Sequence, residues 1–257
     1  MTTSFAPPSL GNPVELDFTL QAQGFAVLAA LDFAQIAGCD LAQLNSLKPF
    51  WNDLAPDAYL KDGGRYRRRR HSCFVVNGRD VTQVAHRPHW QPVEYNALHG
   101  GMQRWFEPLA PAMADHLQWS QLLIWLAQVS SARTQVQPWF VEAHQFRIDT
   151  TDGIGRPTPE GAHRDGVNFV AVFMVDRVKI KGGETRVFDA AGPGGQRFTL
   201  TESWSVLLLD DARVIHESTP IQPIAEGQGG WRDTLVVTLR SGGFQGENAQ
   251  TTPQTTA

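Results

Sequence analysis

Two side chains that often bind metal ions stand one residue apart near the middle of the chain. His163 and Asp165 lie in the stretch EGAHRDGVNF, and the strand-forming residues NFVAVFMV follow directly. In an extended chain, residues i and i+2 point to the same side, so this imidazole and this carboxylate project together, with Arg164 turned away. His216 is a third candidate ligand because it lies in a later predicted strand within DDARVIHESTPI. The pattern therefore indicates a metal site formed by three side chains.

Two histidines and one carboxylate form a facial triad, which leaves three positions of an octahedral metal ion open. This donor set is typical of non-haem Fe(II) oxygenases. Zinc more often takes four protein ligands, or three with one open position. Oxygen chemistry needs the additional positions because a co-substrate and O2 must bind together. An H-x-D pair is also common as two surface polar residues, so the interpretation depends on the surrounding motifs.

Two such motifs flank His216. GGETRVFD lies between the proposed ligands, where a tight turn starts the next predicted strand, and GWRDTLVVTLR brings Arg232 onto a strand after His216. A buried guanidinium there can form a bidentate pair with the far carboxylate of a keto acid whose other end chelates the metal. Arg240 has the same parity as Arg232, so alternation along the strand leaves both arginines as candidates.

The order of these motifs resembles that of the Fe(II)/2-oxoglutarate-dependent dioxygenases. The closer resemblance is to the bacterial branch that hydroxylates free amino acids and includes L-isoleucine dioxygenase. It depends on five segments that span roughly residues 57 to 240, most of the chain. They are YLKDGGRYRRRRHSCF, RPTPEGAHRDGVNFV, KGGETRVFD, IHESTPI and RDTLVVTLR.

The resemblance implies that His163, Asp165 and His216 bind Fe(II) and that Arg232 binds the distal carboxylate of 2-oxoglutarate. It implies an oxidoreductase that uses O2, releases succinate and CO2, and is assayed with ascorbate. The implied substrate is a free aliphatic or sulfur-containing L-amino acid of the isoleucine, leucine or methionine type. Two alternatives stay open: the same chemistry on a nucleobase, peptide side chain or biosynthetic intermediate, and a jelly-roll binding protein without activity.

The strongest basic run, GRYRRRRH, is a candidate for substrate binding. In an extended run, Arg65, Arg67 and Arg69 share one face, and that face could reach a pocket and bind a substrate carboxylate. We take Arg67 as the candidate residue. The alternative is a solvated edge strand, whose charges would discourage pairing with other strands.

Arg147, in HQFRIDT, is a second candidate for substrate binding, and Gln145 shares its face. The alternative role for Arg147 is a structural salt bridge. His144 has the opposite parity to both and is predicted not to be a ligand. The remaining histidines in loops or helical stretches are treated as ordinary residues: His86, His89, His99 and His116.

The predicted secondary structure of the chain changes near residue 137. The later part contains successive short strand candidates, separated by turn-forming segments such as DTTDGIGRP, KGG and AGPGGQ. Short strands without intervening helices predict antiparallel sheets, here a double-stranded β-helix, or jelly roll. The earlier part contains a strand candidate, GFAVLA, and helical patterns such as LAQLNSLKPFW. We predict a mainly β fold with flanking helices, in which the N-terminal half supplies a helical buttress.

The predicted organisation is a flexible N-terminus (residues 1–12), a single dioxygenase domain (13–243) and a disordered tail (244–257). Within the domain, residues 13–136 are predicted to be helix-rich support and residues 137–243 the jelly-roll core. The tail, FQGENAQTTPQTTA, is polar and lacks an apolar pattern that could pack.

The composition is that of an ordinary globular protein, with 257 residues, 42% hydrophobic, 19% charged and a net charge of −4. This balance gives no reason to expect a nucleic acid or a membrane as partner, and the resemblance implies a small-molecule amino-acid substrate. Cys39 and Cys73 form neither a disulfide framework nor a metal-binding spacing, which is typical of a reducing compartment. The N-terminus lacks the pattern of a signal peptide, and the most apolar stretch is too short to span a bilayer. We therefore expect a soluble cytoplasmic protein.

Overall fold

The computed structural model describes residues 12–247, and its strands form one large and two small antiparallel sheets. The helices are α1 (Pro13–Gln23), α2 (Ala30–Ala37), α3 (Leu41–Asn45), α4 (Pro111–Ala114) and α5 (Leu117–Thr134), with a 3-10 helix at Lys48–Trp51. The strands are β1 (Phe25–Leu28), β2 (Arg67–Asn77), β3 (Asp80–Gln83), β4 (Trp139–Asp149), β5 (Phe169–Val178), β6 (Ile180–Gly182), β7 (Thr185–Asp189), β8 (Gly195–Phe198), β9 (Val206–Asp210), β10 (Val214–Ser218), β11 (Ile221–Pro223) and β12 (Trp231–Ser241). No described helix is both long enough and apolar enough to cross a membrane.

The large sheet has seven strands in the order β1-β9-β5-β12-β4-β2-β3. The small sheets have the orders β10-β7-β8 and β11-β6. Residues of the large sheet and of β10 line one cavity, as expected for a jelly roll. The prediction of a mainly β, antiparallel jelly roll with flanking helices is therefore confirmed.

The first half of the chain supplies strands to the large sheet as well as helices. β1 pairs with β9, and β2 pairs with both β4 and β3. The strand predicted from GFAVLA is confirmed as β1. The change of character near residue 137 therefore does not mark the border of the sheet.

The basic run forms an inner strand rather than an edge. β3 continues the sheet beyond β2, and the side chains of Arg67 and Arg69 are buried. The alternative of a solvated edge strand is therefore wrong for these two residues. β3 pairs only with Phe74–Asn77 of β2. Beside Arg67 and Arg69, the loop at residues 55–57 covers the strand: the Asp57 N–H donates to the Arg67 carbonyl and the Arg69 N–H to the Ala55 carbonyl, both at 2.9 Å.

The helices cover the outer face of the large sheet and bury the main apolar core. Phe33 of α2 contacts both Trp125 of α5 and Phe173 of β5, with ring centroids 5.1 Å apart in each pair. Pro111 begins α4, where its missing N–H is not needed, and the His116 side chain accepts a hydrogen bond from the Gln118 N–H at the start of α5. Burial of large aromatic side chains is a major source of stability for this layer.

Alternation along the two central strands separates the core from the cavity. Val141 and Ala143 of β4, with Leu235, Val237 and Leu239 of β12, pack into the helix-covered core. The intervening residues face the cavity: Glu142, His144, Phe146 and Ile148 of β4, and Arg232, Thr234, Val236 and Thr238 of β12. The period of two puts every cavity-lining residue of β4 and β12 at an even-numbered position.

The predicted terminal segments lie largely outside the described residues. Residues 1–11 and 248–257 are not described. The described beginning of the predicted tail is ordered, because Phe244 is buried and its ring packs on Phe140 at 5.1 Å. The prediction of a disordered tail starting at residue 244 is therefore wrong for residues 244–247.

Candidate active site

The two histidines of the predicted triad are brought together by the backbone. His163 and His216 are antiparallel partners: each backbone N–H donates to the carbonyl of the other, at 3.0 and 2.9 Å. His216 lies on β10, whereas His163 lies in the segment that precedes β5. Opposite residues in such a pair share a face, and the two imidazole centroids are 4.6 Å apart.

Asp165 completes the cluster. Its carboxylate oxygens lie 4.0 Å from His163 Nε2 and 3.7 Å from His216 Nε2, and the three donor atoms all lie within 4.8 Å of one another. Two imidazole nitrogens and one carboxylate oxygen suit a divalent first-row metal with open positions. The residues present therefore fit Fe(II).

The proton on His163 stands where a metal ligand requires it. Its Nδ1 lies 3.0 Å from the carbonyl oxygen of Gly161, which can only accept, so Nδ1 carries the hydrogen. In the neutral ring this leaves the lone pair on Nε2, which faces Asp165. Burial, together with the neighbouring His163, holds the pKa of His216 well below its usual range and keeps this imidazole neutral.

The turn that presents Asp165 is held by a buried carboxylate. Asp211 accepts hydrogen bonds from the backbone N–H groups of Asp165, Gly166 and Val167, at 2.9, 2.8 and 3.1 Å. Gly166 has φ +75°, and a Cβ there would collide with the ring of Tyr95. Burial and the charge of Asp165 raise the pKa of Asp211 to about 6, although the three N–H donors oppose this. The sequence analysis did not identify Asp211, which directly follows β9.

Two glutamine side chains also hold Asp165 in place. Gln91 Nε2 donates to the Asp165 carboxylate at 3.2 Å. Gln245 Nε2 donates to the carbonyl oxygens of Asp165 and Gly166 at 3.0 and 2.8 Å. Hydrogen bonds of this kind orient a ligating carboxylate. Neither glutamine belongs to a periodic pattern, so the sequence offered no signal for them.

Arg232 lies in the same cavity as the triad and lacks an acidic partner. Its side chain is buried, with 4% of its surface exposed, and its Nε has no hydrogen-bond partner. Within residues 12–247, no carboxylate forms an ion pair with it. Burial, and then the charge of Arg177, lowers the pKa of Arg232 to about 10. A buried guanidinium without a counter-charge fits a ligand carboxylate.

Arg240, the alternative to Arg232, lies outside the cavity lining. Its guanidinium donates to the backbone carbonyl of Gly243 at 2.7 Å. The two arginines are eight positions apart on the same strand, so they share a face but not a surrounding. Alternation along the strand allowed either arginine to bind the co-substrate. Their positions along β12 distinguish them, because only Arg232 lines the cavity.

The two candidates for substrate binding have different positions. Arg67 lines the cavity, and its Nε donates to Asp57 at 2.7 Å. Arg147 points to the opposite face of β4, where it forms a bidentate pair with Asp233 at 2.7 and 2.8 Å. The structure contradicts the expectation that Arg147 contacts the substrate, because alternation turns odd-numbered residues of β4 away from the cavity. The alternative role, a structural salt bridge, is the one observed.

A second polar cluster borders the cavity and was missed in the sequence. It comprises His71, His89, Glu142 and His144, all of them buried, with donor atoms within 4.8 Å of one another. Glu142 Oε2 lies 2.9 Å from His71 Nε2 and 2.7 Å from His89 Nδ1. The expectation that His89 is an ordinary loop histidine is therefore wrong. His144, which was predicted not to be a ligand, lines the cavity.

The hydrogen bonds of this cluster describe a polar network rather than a metal site. Arg69 Nη2 lies 2.7 Å from His144 Nδ1, and a guanidinium can only donate, so Nδ1 accepts and Nε2 of the neutral ring carries the proton. His71 and His89 each direct a protonated nitrogen at Glu142. Burial alone would raise the pKa of Glu142, but the hydrogen bonds and charge of His89 and His71 hold it below its usual range.

The fold and the three donors of the first cluster define the class of non-haem iron oxygenases. The sequence model of one family, described as 2OG-Fe dioxygenase, matches residues 48–238. The chain therefore belongs to the 2OG-Fe dioxygenase family. It is a dioxygenase, and its cofactors are Fe(II) and the co-substrates 2-oxoglutarate and O2.

Solved structures agree with this fold. A bsmA homologue from Methylobium petroleophilum PM1 is 52% identical, with coverage of 95% of this chain and 98% of its own and a TM-score of 0.87. IDO from Bacillus thuringiensis is 16% identical, with coverage of 89% and 99% and a TM-score of 0.73. The Fe(II)/(alpha)ketoglutarate-dependent dioxygenase TqaL is 18% identical, with coverage of 91% and 88% and a TM-score of 0.70. The last two show a shared fold only. No curated protein matches the chain.

Proposed function

We propose that this enzyme hydroxylates a free aliphatic or sulfur-containing L-amino acid, of the isoleucine, leucine or methionine type, with release of succinate and CO2. The observation that carries the proposal is the cavity beside the triad. It has a volume of about 120 Å³ and is lined both by charged side chains of either sign and by apolar ones. A small zwitterion with an apolar side chain needs this combination.

In this proposal, His163, Asp165 and His216 hold the iron, and Arg232 holds the distal carboxylate of 2-oxoglutarate. When bound, iron and 2-oxoglutarate supply the oxidising power that places one oxygen atom of O2 into a C–H bond of the substrate. Thr158 and Ser218, which line the cavity, hydrogen-bond to each other and close its wall near β10. The buried position of Arg232 favours the co-substrate, because a guanidinium in a dry site binds a carboxylate more strongly than one in water.

The chain contributes binding, orientation and exclusion of water. Phe146, Ile148, Val172 and Val236 supply apolar contact for a substrate side chain. Gln91 and Gln245 limit the movement of Asp165, so that the metal ligand keeps its direction while the substrate enters. The motif resemblance to amino-acid hydroxylases supports the same substrate class.

The test is a reconstituted assay with Fe(II), ascorbate, 2-oxoglutarate and the twenty amino acids in pools. Mass spectrometry follows succinate and any product heavier by one oxygen atom. The proposal predicts a matched rise of both with one aliphatic or sulfur-containing amino acid. Succinate without an oxidised amino acid would instead indicate another target, such as a peptide side chain, a biosynthetic intermediate or a nucleobase.

A further inference from the structure

The segment between β3 and α4 crosses the cavity and carries a buried arginine that no described function uses. His89 and Arg104 in this segment are antiparallel backbone partners, with N–H to carbonyl distances of 2.9 and 3.0 Å. Opposite residues in such a pair share a face. The Arg104 guanidinium therefore lies beside the His89 imidazole, and both line the cavity.

Arg104 has no acidic partner, in contrast to its basic neighbours. Arg67 and Arg69 both pair with Asp57, at 2.7 and 3.8 Å. The Arg104 side chain is 2% exposed and its Nε has no hydrogen-bond partner. Among the described arginines that line the cavity, only Arg104 and Arg232 lack an ion pair. A buried unpaired charge is costly, and two of them in one cavity suit two separate anionic ligands.

The carboxylate of Glu142 lines the same cavity as Arg104. Glu142 uses Oε2 to accept from His71 and His89, which leaves Oε1 free of these bonds. His89 thus connects the Arg104 backbone to the Glu142 side chain. Opposite charges in one cavity, joined through His89, match the carboxylate and ammonium of an amino acid.

The same arginine is linked to the metal ligands by one side chain. Gln91 Oε1 accepts from Arg104 Nη2 at 3.0 Å, while Gln91 Nε2 donates to Asp165 at 3.2 Å. Asn96 also donates to Gln91 Oε1, at 3.1 Å, which fixes the orientation of the amide. A ligand held by Arg104 therefore stands next to the triad.

Arg232 lies at a different end of the cavity. It is opposite Ile148 in the register of β12 and β4, whereas Glu142 is opposite Thr238. Six residues of strand, about 20 Å, separate these two positions. The positions of Arg232 and Glu142 are therefore far enough apart for the co-substrate and the ammonium of the substrate to bind together.

We infer that Arg104 and Glu142 form the receptor for the head group of the substrate, with Arg104 binding the carboxylate and Glu142 the ammonium. The inference rests on the proposed function, since it assumes a free amino acid. It assigns specificity to residues outside every motif of the sequence. Loss of the Arg104 charge should weaken recognition of the substrate carboxylate, and loss of the Glu142 charge should weaken recognition of the ammonium. Neither change should affect binding of 2-oxoglutarate.

The test is calorimetric binding without turnover. Protein loaded with Mn(II) and saturated with 2-oxoglutarate is titrated with L-leucine, L-isoleucine and L-methionine, and with the C-terminal amide of each. We expect the wild type to prefer the acid to its amide by roughly ten- to hundredfold, as loss of a charge-assisted hydrogen bond implies. Arg104→Met should bind acid and amide almost equally. Arg65→Met, at an exposed arginine paired with Asp152, should keep the wild-type preference.

Binding of the substrate ammonium by Glu142 is tested with 4-methylpentanoate, which is leucine without its amino group. Glu142→Gln should weaken binding of leucine roughly tenfold and change binding of 4-methylpentanoate little. An equal loss for both ligands would show that Glu142 only supports the wall, and would overturn its assignment.

The outcomes separate the two proposals. If the wild type binds an amino acid and Arg104→Met keeps the preference for acid over amide, Arg104 is not the anchor and the proposed function stands. If the wild type binds 2-oxoglutarate but none of the three amino acids, the proposed function fails and the inference with it. Should Arg104→Met lose 2-oxoglutarate binding or its circular dichroism spectrum, Arg104→Lys decides: its single ammonium should reduce the preference severalfold, and an unchanged preference would overturn the inference.

Discussion

Hydrogen-bond partners give histidines of the same cavity opposite roles. The carbonyl of Gly161 places the proton of His163 on Nδ1, which frees Nε2 for a metal. Arg69 has the reverse effect on His144, because a guanidinium forces Nδ1 to accept and Nε2 to keep the proton. Residue type alone therefore does not identify a ligand. The distinction depends on one contact per ring, and each contact comes from the local backbone or from a neighbouring strand.

Substitution of His163, Asp165 or His216 by alanine should abolish succinate formation while the circular dichroism spectrum is kept. The physical reason is that two protein ligands hold Fe(II) weakly and in the wrong geometry. Iron content after anaerobic loading should fall in parallel. Asp53→Ala, at a fully exposed carboxylate, is the control and should behave as the wild type. Full activity in any one of the three variants would remove that residue from the metal site.

Arg232→Met should raise the KM for 2-oxoglutarate and leave Fe(II) binding unchanged. A lost charge-assisted hydrogen bond of about 1.5–3 kcal/mol corresponds to a ten- to hundredfold effect. Steady-state kinetics at saturating substrate measure it. Arg240→Met is the matched control, because Arg240 bonds to the Gly243 carbonyl outside the cavity lining. The reverse result, with Arg240→Met alone affecting the KM, would transfer the anchor to Arg240.

At the scale of elements, the site depends on short irregular segments between regular strands. Asp165 is presented by a turn that Asp211, at the end of β9, holds through three backbone N–H groups. Arg67 and Arg69 are kept in the cavity by Asp57, in the loop after the 3-10 helix. The strands form the wall of the cavity. Single carboxylates outside the strands, Asp211 and Asp57, hold the functional side chains of that wall in position.

Asp211→Asn should weaken Fe(II) binding without unfolding the protein. An amide has one acceptor oxygen, so it cannot hold the three N–H groups as the carboxylate does, and the turn that carries Asp165 loosens. Loss of a contact that orients a metal ligand typically costs ten- to hundredfold in metal affinity. Anaerobic titration with Fe(II) measures the change, with Asp210→Asn at the adjacent position as the control. Unchanged affinity in Asp211→Asn would show that the turn is rigid without this carboxylate.

Asp57→Asn should destabilise the protein at neutral pH by about 3–5 kcal/mol, because it leaves two buried guanidiniums without a counter-charge. Burial alone would raise the pKa of Asp57, but Arg69 and Arg67 hold it below the ordinary value. A carboxyl with a depressed pKa stabilises the fold above its unfolded pKa, near 4, and loses that contribution as the pH falls through its folded pKa.

Urea unfolding of the wild type and of Asp57→Asn from pH 7 to pH 3 tests this pH dependence of the free energy of unfolding. The difference between the two proteins should be largest at pH 7 and should shrink at the acid end. A difference that grows on acidification would contradict the ion-pair explanation. Asp53→Asn, at an exposed carboxylate, should follow the wild type throughout.

Strand periodicity carried most of the sequence-based prediction of the fold and site. Alternation correctly grouped Arg67 with Arg69, but it wrongly added Arg65, which precedes β2 and is exposed in a pair with Asp152. The motif order correctly predicted that His163 and His216 lie in one site. Parity did not say which of the two faces of β4 is the cavity, so Arg147 was chosen where His144 is the residue that faces it. The segment that carries Gln91 and Arg104 has no periodicity, and the position of its side chains depends on tertiary contacts alone.

At the scale of the whole molecule, the enzyme is a jelly roll whose large sheet separates an apolar core from a polar cavity. The helices pack on one face, and the loops close over the other. The triad, the buried Arg232 and the wall that contains Arg104 and Glu142 all line this cavity. A chamber of about 120 Å³ suits small molecules better than a polymer, which supports the proposal of a free amino acid as the substrate.

The proposed function requires that decarboxylation of 2-oxoglutarate is coupled to hydroxylation of a free amino acid. Turnover under labelled oxygen gas (18O2), with the amino acid identified from the pools and with mass spectrometry of both products, measures this coupling. We expect one labelled oxygen atom in succinate and one in the amino acid, in equal amounts. Labelled succinate together with an amino acid that stays unlabelled in every pool would contradict it.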